Sequence, residues 1–303
     1  MRVRVLGSGA GGGFPQWNCA CPTCRAVRDG SRPCRPRTQS SIAVSSDGRS
    51  WFLVNASPDV RAQIEATEAL HPGGDRDTPI AGVLLTDAEL DHTLGLLLLR
   101  EGAGVTVHAT APTLETLRAA GTGFLRTLEH YCPVACHEVV PGEDVVLDDG
   151  VSYRAFDVPT TKPSRFGPRP TGTGRVVGYR FTDARTGRAV VHLPGVQAIT
   201  PAIRAAVDGA AVLLVDGTCW QDDELSRLGL ADKTAHDMGH LAVGGPGGSL
   251  EELAALRDAG RVERAIYMHI NNTNPMLLED SPERRAVEGR GVEVAVDGLE
   301  VEV

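Results

Sequence analysis

Aromatic side chains are scarce in this chain, at 4% of 303 residues. A core must then be packed mainly from Ala, Val and Leu. The 42% hydrophobic content suffices for that and excludes global disorder. A basic surplus is missing too. Lys and Arg number 30 against 39 Asp and Glu, a net charge of -9, which argues against a general nucleic-acid binder, since such a protein would want a basic face. No apolar run reaches the roughly 18–20 residues of a membrane span. The opening Met1-Arg2-Val3-Arg4-Val5-Leu6-Gly7 enters a strand with no h-region and no cleavage site. Neither a membrane nor a nucleic acid is expected as partner, and the cytoplasm is the expected compartment. Cysteines are few and odd in number, seven, which in a reducing compartment suits ligands or inert thiols better than disulfides. No repeat and no low-complexity linker divides the chain, so one domain over residues 1–303 is expected.

Glycine (35) and proline (19) are plentiful and predict a loop-rich chain. Strand signals fall at 3–6, 41–44, 51–54, 82–85, 105–108, 153–158, 176–181, 189–192, 212–215 and 265–269. Helix signals fall at 57–67, 93–100, 112–121, 200–207 and 250–259. Residues 160–174 read as a long Pro/Gly/Thr-rich loop. Early strands follow one another by hairpins, with Ser46-Asp47-Gly48-Arg49 a good turn. Later strands alternate with helices. The expected class is α/β (α+β), a mixed sheet with helices outside, in two layers or four. The apolar runs 82–85, 212–215 and 265–267 suit strands buried on both faces. Each ends in donor residues, at Thr86-Asp87, Asp216 and His269, and such ends converge on one rim of a sheet.

Gly7-Ser8-Gly9-Ala10-Gly11-Gly12 matches G-x-G-x-x-G after a strand. The residues that follow, Gly13-Phe14-Pro15, make a poor first helical turn, so a nucleotide loop is not expected. The backbone there is expected to pass close to something instead. Cys19, Cys21 and Cys24 put three thiols within six residues, a knuckle suited to a structural zinc with its fourth ligand from elsewhere. Cys132 and Cys136 form only a weak pair. Asp87, Glu89, Asp91 and His92 crowd four candidate ligands where a buried strand gives way to a helix. Three acids and a His repel and desolvate one another unless a cation compensates, so a metal is expected here.

The run Thr86–Gly95, T-D-x-E-x-D-H-x-x-G, resembles the signature H-x-H-x-D-H of the metallo-β-lactamase superfamily. Asp87 and Glu89 stand where that signature has its first two His. Asp91 and His92 keep its second half. The run 213–218 resembles the strand end with the bridging Asp, here Asp216. Met238-Gly239-His240-Leu241 resembles the G-H motif, and Tyr267-Met268-His269-Ile270 the last His ligand. Longer motifs at 11–19, 55–59, 85–92 and 269–275 make the chain similar, over residues 1–303, to the B family of pyrroloquinoline quinone (PQQ) biosynthesis. That resemblance implies a metallo-β-lactamase-like four-layer αββα sandwich acting in cofactor synthesis. It implies an Fe(II)- and O2-dependent hydroxylase working on the tyrosine ring of a cross-linked Glu–Tyr precursor. An older reading of that family is export of the cofactor or a precursor.

Hydrolases of the superfamily usually hold two ions around a bridging hydroxide. Without the first two His, one ion loses its imidazoles. Asp91, His92, Asp216 and His269 remain, and two His plus carboxylate suit mononuclear non-haem Fe(II). Zn(II) accepts the same ligands without redox chemistry. The resemblance makes His240 a candidate acid or base and leaves Asp87 and Glu89 to accept bonds from substrate. Asn272 stands where related knuckles have a fourth zinc ligand. Lys162, Arg180, Asn271 and Asn274 are candidate substrate contacts. His192 ends a strand but matches no motif, and His71, His108, His130, His137 and His236 read as loop or surface residues. A metal-dependent hydrolase and a carrier of the quinone or its precursor stand as alternatives, and a homodimer is left open.

Overall fold

The computed structural model describes residues 1–148, 150–166 and 173–303. Its strands, in chain order, are β1 (Arg2–Gly7), β2 (Ser41–Ser45), β3 (Trp51–Val54), β4 (Ile80–Leu84), β5 (Val105–Ala109), β6 (Val134–Glu138), β7 (Asp144–Asp148), β8 (Val151–Asp157), β9 (Val177–Asp183), β10 (Ala189–Leu193), β11 (Ala210–Asp216), β12 (Val262–Met268), β13 (Glu293–Val294) and β14 (Glu300–Glu302). Its α-helices are α1 (Pro22–Asp29), α2 (Val60–Glu65), α3 (Leu90–Thr93), α4 (Ala111–Arg118), α5 (Phe124–Glu129), α6 (Pro201–Val207), α7 (Glu224–Arg227), α8 (Ser249–Asp258) and α9 (Pro282–Gly289).

Two seven-stranded sheets result, ordered β14-β1-β2-β3-β4-β5-β6 and β13-β12-β11-β10-β9-β8-β7. Both are mixed. In the first, β3, β4, β5 and β6 are parallel neighbours and the rest antiparallel. In the second, β10 to β13 are parallel and β7 to β10 antiparallel. Side chains alternate along each strand. In β1, Val3 and Val5 turn inward while Arg2 turns out. The inward faces meet in one apolar layer that includes Val3, Val5, Phe52, Leu84, Leu214 and Ile266. Several of the few aromatics gather there, with Tyr153 edge-on to Tyr179 at 5.4 Å. Val60, Leu117 and Leu128 of α2, α4 and α5 cover the first sheet, and Ile203, Leu253 and Val287 of α6, α8 and α9 cover the second. This is the four-layer αββα metallo-β-lactamase sandwich. Each buried Val, Leu or Ile contributes on the order of 1.5–3 kcal/mol.

The expected helix 93–100 does not form as one element. One turn, α3, passes into a 3-10 segment, Leu94–Leu99. Gly95 is the reason: its N–H donates to Ala56 O at 2.9 Å, and a Cβ there would stand 2.2 Å from Ser57 O. The backbone is held against the β3 exit loop, and regular helical bonding is lost. The expected helix 57–67 shortens to α2, and the expected hairpin joins β2 to β3 through Asp47, whose Oδ1 accepts from Arg49 N at 2.7 Å. No helix follows Gly7–Gly13. Residues 160–166 and 173–174 carry neither helix nor strand, and the rest of that expected loop lies outside the described residues. Among the described residues no helix is long and apolar enough to cross a membrane.

Candidate metal centre

The parallel strands β3, β4, β11 and β12 end on one rim. Asn55 follows β3 and, with φ at 66°, occupies the left-handed region that Asn tolerates better than most residues. Its Oδ1 accepts from Thr86 N at 3.0 Å and its Nδ2 donates to Thr86 Oγ1 at 3.0 Å. Thr86 Oγ1 donates in turn to Asp87 Oδ2 at 2.9 Å. The opposite face of Asp87 meets His92, whose Nδ1 lies 2.9 and 2.8 Å from the two carboxylate oxygens. That bond sets the tautomer. His92 Nε2 is then the free ring nitrogen, buried and without a hydrogen-bond partner.

The second sheet repeats the device. His269 directly follows β12 with φ at 53°, a strained setting for a non-glycine residue. Its Nδ1 donates to Thr218 Oγ1 at 2.9 Å, and that hydroxyl donates to Asp216 Oδ1 at 2.6 Å. Asp216 Oδ2 accepts from His240 Nδ1 at 2.7 Å and from Val196 N at 3.0 Å. Three imidazoles are thus each fixed through Nδ1, leaving Nε2 of each for other contacts. The His92 and His269 rings lie 5.3 Å apart, and His240 and His269 5.2 Å. Asp91 Oδ2 stands 3.5 Å from His269 Nε2 and 3.9 Å from His92 Nε2.

One ligand atom each from Asp91, His92 and His269 lies within 4.8 Å of the others, and the same holds for Asp216, His240 and His269. His269 is common to both groups. The orphaned Nε2 of His92, in a pocket lined by carboxylate and imidazole, fits a divalent cation. Burial pushes His92 down, but Asp87 and Asp91 outweigh it and raise the imidazole to about 9. Burial pushes Asp87 up, but His92 overcomes it and holds the carboxyl at about 2. Asp91 lies well below the ordinary carboxylate range, since His92, His269 and Lys162 outweigh its burial. Without an ion, a proton on His92 is the charge that balances Asp87 and Asp91, and a divalent cation would displace that proton to reach Nε2.

The glycine-rich start has a place in this centre. Ala10 N donates to Ile270 O and Ile270 N to Ser8 O, which ties the β1 exit beside His269. A Cβ on Gly11 would stand 3.0 Å from Asp91 Oδ2. The expected close approach is therefore to a candidate ligand. Glu89 pairs with Lys162 at 3.0 Å and Arg165 at 3.1 Å across the same pocket.

Cys19, Cys21 and Cys24 cluster within 4.8 Å, with Cys21 at the residue before α1 and Pro22 opening it. Asn272 reaches this cluster, its Nδ2 donating to Cys24 Sγ at 3.3 Å and Cys21 Sγ at 3.6 Å. Burial pushes Cys24 up to about 11.

Other expected contacts fall elsewhere. Arg180 donates to the carbonyls of Ala206 and Asp208, away from the pocket, because its position on β9 points it at the end of α6. Asn274 is fully buried and caps Met276 N, and Asn271 donates to Thr273, so both amides shape the turn after His269 and neither lines the pocket. Asp87 lines the pocket, but its oxygens are engaged by His92, Thr86 and Glu89 N instead of facing a substrate. Asp216 accepts from His240 while remaining one of the three residues of the second metal-capable group. His108 is buried on β5 with His137 stacked on it at 4.8 Å, and His192 is fully buried. Sequence reasoning missed Thr218 and Asn55 as residues that aim ligands. Their only local signal was their place beside Asp216 and at the β3 exit.

The sandwich and its rim of imidazoles and carboxylates define a metal-binding protein of the metallo-β-lactamase superfamily, and residues 50–270 match the family model described as a β-lactamase superfamily domain. The chain belongs to the coenzyme PQQ synthesis protein B family. It is 46% identical to the member from Methylococcus capsulatus over 99% of both chains. It is 40% identical to Zn(2+)-bound PqqB from Methylobacterium extorquens, a crystal structure it covers completely and matches with a TM-score of 0.89. A diphosphatase of the PhnP family, 22% identical with a TM-score of 0.67 over 100% of this chain and 97% of its own, shares the fold.

Proposed function

We propose that this chain acts in PQQ synthesis as a single metallo-β-lactamase-like unit over residues 1–303. Its reaction is Fe(II)- and O2-dependent hydroxylation of the tyrosine ring in a cross-linked Glu–Tyr precursor. A ring C–H becomes C–OH, one oxygen atom of O2 enters the ring, and the other leaves as water with two electrons and two protons from an external reductant. The observation that carries this reading is the donor set: Nε2 of His92 and His269 with the Asp91 carboxylate, two imidazoles and an acid on one side of an open pocket. Fe(II) held by these residues would supply the one-electron chemistry that O2 requires.

This chain's residues do the remaining work. Asp87 and the Thr218–Asp216 pair hold His92 and His269 in the tautomer that leaves Nε2 free. His240 is aimed by Asp216 and offers Nε2 to the ion or to a proton in the pocket. Arg175 lines the same pocket and supplies positive charge toward the carboxylates that a Glu–Tyr product carries, while Lys162 and Arg165 are held by Glu89. A second ion, structural Zn(II), would be held by the Cys19, Cys21 and Cys24 thiolates, beside the Asn272 amide that donates to Cys21 and Cys24.

The test is oxygen uptake. The chain loaded anaerobically with Fe(II) should consume O2 in the presence of a tyrosine-derived Glu–Tyr substrate and a reductant, with an added oxygen in the product mass. Zn(II)-loaded protein and His92→Ala should not. Turnover of a phosphodiester with Zn(II) or Mn(II), and no oxygen uptake with iron, would replace this reading with a hydrolase. Tight binding of the quinone with no turnover of either kind would replace it with a carrier.

A further inference from the structure

Asp87, Glu89 and Asp91 leave one short turn of chain, and each needs a positive partner. Asp87 has the His92 imidazole at 2.8 Å. Asp91 has His269 and His92 at 3.5 and 3.9 Å. Glu89 has no imidazole. Its two oxygens meet Lys162 Nζ at 3.0 Å and Arg165 Nε at 3.1 Å. Arg165 is 57% exposed and its charge is largely screened by water, whereas the Lys162 side chain is 18% exposed.

Lys162 is built into the pocket wall. Its N–H donates to Thr160 Oγ1 at 3.1 Å, and its carbonyl accepts from Arg175. The preceding residue is fixed as well, Thr161 N donating to Gln197 Oε1 at 2.7 Å. The aliphatic stem crosses Gly239, where a Cβ would stand 3.1 Å from Lys162 Cδ and 3.4 Å from its Cβ. Gly239, at φ +93° and one residue before His240, leaves the space through which the ammonium reaches Glu89. The same ammonium is among the charges that act on Asp91.

The geometry points to Lys162 as a built-in cation that takes the place of a second metal ion: its ammonium, clamped by Glu89 beside Asp91, limits the centre to one divalent ion. This rests on the reading of the His92–His269–Asp91 cluster as a metal centre. With the ammonium in place, Glu89 is neutralised and presents no unpaired carboxylate to a second ion. Without it, Glu89 keeps only the water-screened Arg165 and stands with Asp91 in a partly dry pocket, a setting that attracts a divalent cation.

Manganese stoichiometry and electron paramagnetic resonance test this on the full chain, with the cysteine cluster left in its zinc form. The wild type should bind one Mn(II) at the rim and give the signal of an isolated ion. Lys162→Met should bind two, with an exchange-coupled signal. Lys162→Arg, which keeps the charge, should stay at one, and Lys162→Met combined with Glu89→Gln should return to one. A folded Lys162→Met chain that still takes a single Mn(II), or a wild type that takes two, overturns the inference. Should Lys162→Met fail to fold, Lys162→Gln carries the same expectation. A wild type that binds no Mn(II) at the rim overturns the metal-centre reading and this inference with it.

Discussion

His92 Nδ1 stands 2.9 and 2.8 Å from the two oxygens of Asp87, and this contact determines which nitrogen His92 can offer to an ion. A carboxylate that accepts the far N–H of a ligating imidazole fixes its ring and raises its basicity. Asp87 therefore acts on the centre through His92.

Asp87→Asn should weaken metal binding by roughly 10–100-fold, the usual cost of losing such a partner. The fold should persist, because Thr86 and Asn55 still brace the turn. Chelator competition against the rim ion measures the affinity, and far-ultraviolet circular dichroism checks the fold.

Gly11→Ala should impair the same ion from a different direction. The new methyl would meet Asp91 Oδ2 at 3.0 Å, so the carboxylate must shift by a few tenths of an ångström or more. Metal analysis should show the rim ion weakened while zinc at Cys19, Cys21 and Cys24 is retained. Equal loss at both sites would show that the substitution acts through the whole fold.

Asn55→Ala should cost about 3 kcal/mol. It strands the buried Thr86 N–H, worth about 1–3 kcal/mol, and places Ala at a φ of 66°, worth about 1 kcal/mol. Asn55→Gly loses the same bonds without the backbone strain and should cost less. Urea midpoints of the two variants give the order.

His108 links stability to acid. Burial and the neighbouring His137 lower its pKa from 6.5 to about 4. The unfolded chain then binds a proton between those values that the folded chain does not. Stability should fall as pH drops from about 6.5 to about 4, by at most about 1.4 kcal/mol per pH unit from this group. His108→Phe should remove that part of the slope, seen by comparing unfolding midpoints of variant and wild type at pH 7 and pH 5. An unchanged slope would mean that His108 stays protonated in the fold.

Much of the architecture was visible in patterns. The alternation in β1, the hairpin at Asp47 and the apolar runs of β4, β11 and β12 all appear as strands close to their expected places. Edge elements were less visible. The strand β13 is two residues long, and β6 and β7 carry exposed polar positions that blur the alternation. Helix α9 had a signal that went unused: Ser281 accepts from Arg284 N and Pro282 opens the first turn.

The identities of the metal-centre side chains, their crowding after β4 and the three closely spaced thiols are properties of spacing, and short-range geometry brings such neighbours together in any fold that forms these elements. The division of labour among them is not local. Whether Asp216 faces an ion or His240, whether Asp87 faces a substrate or His92, and why Gly11 must be bare all depend on β1, β4, β11 and β12 ending on one rim. Hydrogen bonds and close contacts between residues far apart in the chain exist only once both sheets are packed, and it is these contacts that turn a list of donors into an oriented site.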